Sequence, residues 1–400
     1  MRVRLVIANG FTSGGTVRTT IGTANALADH HDVELVTVYR YRSKPLLPID
    51  PRVTVRTLVD YSSMHKDMLE LQKGPIGWAR RTAYKGLISQ RSRLIHKRDF
   101  RYPRFNALTD IALYRYLRSL NDGVVIGTRA GLNMVIARHT RPSVIRIGQE
   151  HLHYGVYGDA IRQSMRTLFP RLDAFVPLTE RDAERWRLVI PDARIEAIPN
   201  AVPHTGDKVS PLNSKIVIAA GRLARQKGYD RLIPAWRIVA DRHPDWQLHI
   251  YGGGKEKDNL LQQIKASRLT GSAHLMGVSR KMYDDMRTGS IFVMSSRFEG
   301  FPMVLLEAMS CGLPTVAFDF ANGARELIQN GENGVLVGNR DIKALAEGLC
   351  EMIESPEKRA AYGAKAAETV RAYNSEVLAQ RWTELFSELA RTKQAASAAR

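Results

Sequence analysis

From Lys215 onward the chain alternates short apolar runs with stretches of helical periodicity. The runs fall at Lys215–Ala220, Trp246–Tyr251, His274–Met276, Ile291–Ser295, Thr315–Phe318 and Gly334–Val337. Near-continuous apolar runs of this kind read as strands buried on both faces. Strands separated by a helix-length connection cannot pair as hairpins, so the crossovers force a parallel sheet. Six strand–helix units predict a doubly wound α/β domain. The first half opens in the same way. An apolar strand at Val3–Ala8 leads into a glycine loop from Asn9 to Gly15. Val17, Ile21, Ala24, Leu27 and Ala28 then recur at helical spacing, and Asp32–Tyr39 alternates like a strand. Further strands are predicted at Val124–Gly127, Ser143–Ile147 and Ala174–Leu178. Thr179 is an N-cap candidate, with Asp182 in the first helical turn. Polar residues from His204 to Asn213 read as a linker. The predicted organisation is a Rossmann-like domain over 1–203, a second over 204–372, and a C-terminal helix over 373–400. That helix is expected to return toward the first domain, with a tail frayed from Gln394.

Composition narrows the class. Two cysteines, Cys311 and Cys350, cannot build a disulfide scaffold, and both read as buried small residues rather than nucleophiles. The expected setting is therefore reducing. No apolar run is long enough to span a membrane, and the N-terminal apolar run is too short for a secretory core. His30 and His31 read as a loop rather than a metal site. The glycines of Gly10, Gly14 and Gly15 do not have dinucleotide-fingerprint spacing.

Charge is the outstanding compositional feature. Lys and Arg number 59 against 40 acids, a formal +19. From Lys73 to Arg118 there are 12 basic residues against Asp99 and Asp110, so this stretch carries +10 of that total. It lies within a variable segment over 62–118 and is interleaved with aromatics. Such a segment attracts polyanions or anionic lipid. No nucleic-acid recognition motif accompanies it.

Two loops carry the chemistry. Gly221 to Gly228 follows a strand and holds Arg222 and Lys227, a fork and a point charge that can reach one diphosphate. Ser296 to Gly312 follows another strand and opens a helix. Pro302 suits the first helical position, which leaves the N–H groups of Met303 and Val304 free for an anion. Glu299 and Glu307 flank that end. Taken alone, they also fit a solvated loop acid and a helix-dipole acid.

Together these residues resemble family 4 of the retaining glycosyltransferases, which have the GT-B fold of two Rossmann-like domains facing a central cleft. The loop from Gly221 to Gly228 is similar to that family's diphosphate loop. Glu299 and Glu307, with Gly300, Phe301 and Pro302 between them, are similar to its paired-glutamate signature. Arg325 to Gly334, Ile198 to Asn200, Thr179 with Glu180, and Gly14 with Gly15 resemble further family features. The resemblance is weak from about residue 40 to 120, where acceptor elements diverge.

The resemblance implies roles. Arg222 and Lys227 neutralise the donor diphosphate. Phe301, Pro302, Met303 and Val304 present backbone to the diphosphate and sugar. Glu299 meets sugar hydroxyls and Glu307 the ribose. Gly14 and Gly15 let the backbone approach the donor, and Met276, Gly277 and Val278 contact the base. A histidine near the anomeric carbon is expected, either His151 or His153; His151 fits better, and Glu150 beside it could tune its charge. The implied activity is metal-independent hexosyl or N-acetylhexosaminyl transfer with retention, without a cofactor. The donor is a nucleoside-diphosphate sugar, with UDP expected. An anionic cell-envelope acceptor is expected, either a polyol-phosphate polymer or a lipid-linked glycan. So is a cytoplasmic location, peripheral on the inner face of the membrane. Three rivals compete: a glucan synthase of the glycogen or starch type, a sugar-nucleotide epimerase, and a polyanion-binding protein without catalysis.

Overall fold

Every residue of β1 (Arg2–Ile7) after Arg2 is buried. That is what a strand sandwiched between helices requires, and it sets the plan of the first unit. The computed structural model describes residues 1–63, 75–202, 208–320 and 322–398. The chain divides into two units, Met1–Ala201 with Ser375–Arg400, and Val202–Asn374.

The first unit holds a parallel six-stranded sheet in the order β3-β2-β1-β4-β5-β6. The other strands are β2 (Asp32–Arg40), β3 (Thr54–Asp60), β4 (Val124–Gly127), β5 (Ile145–Gln149) and β6 (Ala174–Val176). In register, Leu5 pairs with Leu35 on one side and Ile126 on the other. β3 is an addition to the sequence reading. It is an edge strand whose first residues are exposed, so it lacks a continuous apolar signature. Helices α1 (Gly15–Leu27), α2 (Pro75–Ser89), α3 (Ala107–Ser119), α4 (Ala130–His139), α5 (Asp159–Leu168) and α6 (Glu180–Val189) connect the strands.

The basic segment contains α2 and α3; residues 64–74 and the side chains of Arg80 and Arg81 lie outside the described residues. Asp99 and Asp110 are buried and form no ion pair among the described residues. Asp110 accepts from the Ser92 hydroxyl (2.6 Å) and the Arg93 N–H (2.6 Å). Asp99 accepts from the N–H groups of Gly131 (2.9 Å) and Arg101 (2.7 Å).

The second unit holds a parallel sheet in the order β12-β11-β10-β7-β8-β9. Its strands are β7 (Ile216–Ala220), β8 (Gln247–Tyr251), β9 (Ala273–Gly277), β10 (Ile291–Met294), β11 (Thr315–Phe318) and β12 (Gly334–Val337). Helices α7 (Tyr229–Arg242), α8 (Lys257–Ala266), α9 (Met282–Arg287), α10 (Met303–Ser310), α11 (Asn322–Leu327), α12 (Ile342–Glu354) and α13 (Pro356–Val370) complete it. The strand order reverses between β7 and β10, so the loops after these two strands lie at the sheet's switch point.

The divisions at 201/202 and 374/375 sit two residues from those read at 203/204 and 372/373. The Val202 N–H donates to the Tyr373 carbonyl (3.0 Å), which holds both connector ends in the second unit. The stretch read as a linker is partly packed. The Ser210 hydroxyl donates to the Gly289 carbonyl (2.5 Å), and the Ser210 N–H to the Cys311 carbonyl (2.8 Å). Residues 203–207 lie outside the described residues.

The last helix, α14 (Ser375–Ala398), belongs to the first unit and continues through the tail read as frayed. Leu378, Trp382, Leu385, Phe386 and Leu389 recur at helical spacing and pack into the cluster of Val3, Leu5 and Ile21. The Lys393 ammonium fixes the far end by donating to the Pro142 carbonyl (2.6 Å).

Candidate active site

The residues singled out from the sequence fall into two groups, one in each unit. In the second unit, the loop after β7 and the loop after β10 are bound to each other. The Lys227 ammonium lies 2.7 Å from Glu299 Oε1, with both side chains largely covered. Glu299 also accepts from the Ser296 hydroxyl (2.9 Å) and the Gln226 amide (3.3 Å). Backbone contacts reinforce this. The Arg297 N–H donates to the Gln226 carbonyl (2.8 Å), and the Ser295 hydroxyl to the Lys227 carbonyl (3.0 Å). The Arg297 guanidinium forks onto both Asp230 oxygens (2.7 and 2.6 Å). Gly228 makes the close approach feasible. Its φ is +69°, and a Cβ there would lie 2.0 Å from the Ser295 carbonyl oxygen.

Arg222 is exposed on the same loop and has no ion pair among the described residues. Its guanidinium reaches only the Gln226 side-chain oxygen, at 3.5 Å. Tyr229, fully buried behind the loop, has its phenol pushed well above the ordinary range by burial and then by Glu299.

The start of α10 departs by one residue from the sequence reading. Pro302 is the N-cap rather than the first helical residue, and Met303 opens the helix. The Met303 N–H is not free: it donates to the Phe301 carbonyl (3.0 Å). The tight turn follows from the Pro302 backbone, at φ −82° and ψ 79°. Leu305 and Leu306 both donate to the Pro302 carbonyl. The Val304 N–H has no backbone acceptor among the described residues, so it remains available to an anion. Glu307 is buried on the first turns of α10, and Phe301 and Pro302 are buried beside it. Cys311 closes the helix with its thiol pushed up to about 11 by burial, as expected of an inert packed residue.

Met276, Gly277 and Val278 stand at the end of β9. The Gly277 carbonyl accepts from the Gly252 N–H (2.7 Å), while the Met276 and Val278 side chains are exposed. Three contributors here are not among the residues singled out from the sequence. Gly252, Gly253 and Gly254 wrap the loop after β7: a Cβ on Gly252, at φ +148°, would lie 1.9 Å from the Gly221 carbonyl oxygen. Three consecutive glycines after a strand are a visible signal. Gln226 bridges the two loops and Phe298 is half exposed beside Glu299, and neither residue type announces such a role.

In the first unit, Gly14 caps α1 in extended backbone with no side-chain cap. The N–H groups of Gly15, Thr16 and Val17 have no backbone acceptor among the described residues. These three residues line a cavity of about 250 Å³ together with Gly14, Asn9, Thr128, Arg129 and neighbours. His151 follows β5 and is buried. Its Nδ1 lies 3.5 Å from the Thr19 hydroxyl on α1, while Nε2 is buried with no hydrogen-bond partner. Burial, then repulsion from Arg129, lowers its pKa to about 3, so the ring is neutral at pH 7. Glu150 is not among the groups that shift it. Glu150 is itself buried and pushed up to about 7 by desolvation, against the pull of the Tyr157 hydroxyl and Arg129. His153 is half-buried, with its pKa lowered mainly by burial.

Among the described residues, His243, Cys350 and Glu354 bring potential metal donors within 4.8 Å of one another. Arg242 already pairs with Glu354 there (2.9 Å), and a guanidinium at that carboxylate opposes a second cation.

Comparison with known proteins bears on both units. A family model described as glycosyl transferases group 1 matches residues 205–369. The chain is 32% identical over 394 residues to an exopolysaccharide phosphotransferase of Streptomyces coelicolor, covering 97% of this chain but 41% of that protein. It is 25% identical to an amylovoran biosynthesis glycosyltransferase, AmsD, of Erwinia amylovora, over 96% of this chain and 99% of that one. Among solved structures, a TarM mutant from S. aureus in complex with fondaparinux, α-GlcNAc-glycerol and UDP superposes with a TM-score of 0.73. The identity is 15%, over 96% of this chain and 99% of that one. That likeness shows the two-domain α/β fold known as GT-B.

Proposed function

We propose that this chain, whose residues 205–369 match the family model of the glycosyl transferases group 1, moves a hexosyl or N-acetylhexosaminyl group from a nucleoside-diphosphate sugar to an acceptor hydroxyl. The donor nucleotide in this reading is UDP. The acceptor is an anionic cell-envelope polymer, a polyol-phosphate chain or a lipid-linked glycan. Transfer keeps the anomeric configuration and needs no divalent metal.

The observation that carries this reading is the junction at the switch point of the second sheet. There Arg222 and Lys227 stand on a loop tied through Gln226 and Glu299 to the loop that leads into α10, whose Val304 N–H has no backbone acceptor among the described residues. Breaking the bond from the anomeric carbon to the diphosphate leaves negative charge on the departing oxygen. Two cations and a helix end set in advance stabilise that charge as it develops. The acceptor hydroxyl attacks the same face, and its proton passes to the departing diphosphate oxygen. Lys227 must then share itself between Glu299 and the diphosphate, which frees a Glu299 oxygen for a sugar hydroxyl. Glu307, buried on α10, is assigned to the ribose. His151 is assigned a place beside the anomeric carbon, where a neutral ring hydrogen-bonds without adding charge.

The unpaired cations of the basic segment support the choice of acceptor. Among the described residues, no Lys or Arg from Lys85 to Arg118 takes part in an ion pair, because both acids are bound to neutral donors. The relatives named for exopolysaccharide and amylovoran are consistent with an envelope polymer.

The test is a panel of nucleotide sugars scored by protection against thermal unfolding. A ligand that binds the native state raises its apparent stability by about 2.7 kcal/mol at 100 times its Kd. UDP-linked sugars are expected to raise the Tm and adenosine-linked ones to have little effect. No protection by any member of the panel would overturn the reading.

A further inference from the structure

We propose that the cavity of the first unit is the subsite for a phosphate ester of the acceptor, held by Arg101, Arg104 and Arg129. This rests on the glycosyl-transfer reading above and adds the chemistry of the acceptor's recognised group. The cavity, about 250 Å³, opens where β1, β2 and β4 end, and all three arginines line it. None of the three pairs with a carboxylate among the described residues. Asp99, adjacent in sequence to two of them, spends its oxygens on the N–H groups of Gly131 and Arg101.

The three guanidinium groups are held near one another. Those of Arg101 and Arg129 both sit over the exposed Phe100 ring, at 5.7 and 5.9 Å from its centroid. The buried Tyr39 hydroxyl feels all three cations, which oppose the rise to about 12 that burial imposes. Like charges gathered around a cavity repel, and an anion between them converts that repulsion into attraction. Planar forks match phosphate oxygens in pairs, so three of them favour a phosphate over a lone carboxylate.

The rest of the wall suits what carries the phosphate. Asn9, Thr12 and Thr128 offer hydrogen bonds to hydroxyl groups. Tyr41, half exposed and stacked on Tyr61 at 5.0 Å, offers a flat apolar face to a carbon skeleton. Gly14 and Gly15, read as approaching the donor, share this wall, but the cations assigned to the donor, Arg222 and Lys227, belong to the second unit, so its diphosphate does not call for these three arginines.

The experiment titrates the full chain with glycerol 3-phosphate, glycerol and UDP by calorimetry. The parent is expected to bind glycerol phosphate and not glycerol. In R101Q/R104Q, glycerol phosphate affinity is expected to fall by about tenfold or more, because charge-assisted contacts are lost, with UDP affinity unchanged. R101K/R104K is expected to recover part of the loss, which separates a site from a folding defect. Arg391→Gln, exposed on α14 and outside the basic segment, is expected to match the parent. Equal glycerol phosphate binding by R101Q/R104Q and the parent would overturn the proposal, as would no binding by the parent. A loss of UDP affinity in its place would assign the cavity to donor phosphates and overturn the acceptor assignment. A parent that binds glycerol phosphate but no nucleotide would sink the transfer reading and leave this site standing.

Discussion

Lys227 and Glu299 form an ion pair across two loops, 2.7 Å apart, with side chains 16% and 11% exposed. A pair so covered is costly to break one partner at a time, because the survivor is left buried without a counter-charge. The loops it joins carry Arg222 and Lys227 and lead into α10, which bears the Val304 N–H assigned to the diphosphate.

Lys227→Ala is therefore expected to weaken UDP binding while leaving uridine binding almost unchanged. The lost charge-assisted contact corresponds to about 1.5–3 kcal/mol. Calorimetric titration with the two ligands checks it. An equal loss for uridine and UDP would remove Lys227 from the diphosphate.

Gly228→Ala is expected to destabilise the second unit. The substitution places a methyl group 2.0 Å from the Ser295 carbonyl oxygen at φ +69°, so one of the two loops must shift. Strain of this kind costs on the order of 1–3 kcal/mol. The control is Gly271→Ala, whose Cβ meets nothing within 4 Å. Denaturant midpoints for the two variants should differ clearly.

Trp382→Ala is expected to destabilise the first unit. Trp382 is 1% exposed, packed between α14 and the cluster around β1. Loss of a buried aromatic costs about 3–5 kcal/mol through lost burial and the cavity left behind. A chain whose thermal unfolding is unchanged would show that α14 contributes little to that core.

The buried carboxyl of Glu150 gives a pH prediction. Its folded pKa is about 7, raised from 4.5 by desolvation. The folded chain thus keeps a proton that the unfolded chain releases between these values. Stability from this group is full below pH 4.5 and falls as the pH rises to about 7. Glu150→Gln removes the dependence. The variant should gain on the parent across that window, by on the order of 3 kcal/mol at its upper end. Urea unfolding at a series of pH values reads it. A constant difference between parent and variant would contradict the assignment.

Much of the fold is legible because parallel strands covered on both faces are apolar throughout. Val124–Gly127, Thr315–Phe318 and Gly334–Val337 form strands at those bounds. β3 is not legible in that way. It is an edge strand in which Arg56 reaches across to Glu34, so its sequence reads as polar surface. The start of α10 differs by one residue because the Phe301 carbonyl captures the Met303 N–H, a local choice that Pro302 alone does not dictate. At the site, residue types announce loops but not their partners. Lys227 and Glu299 are far apart in sequence, and only the adjacency of β7 and β10 brings them together. The burial of His151 against Thr19 likewise depends on α1 packing beside the end of β5.

The most direct test of sugar transfer is acceptor-dependent release of UDP, followed with UDP-N-acetylglucosamine and UDP-glucose in the presence of a chelator. A glycerol-phosphate oligomer serves as acceptor, and a parallel reaction omits it. The account predicts UDP release that rises with acceptor concentration and persists in the chelator. UDP release at the same rate without acceptor, or none until a divalent metal is restored, would contradict it.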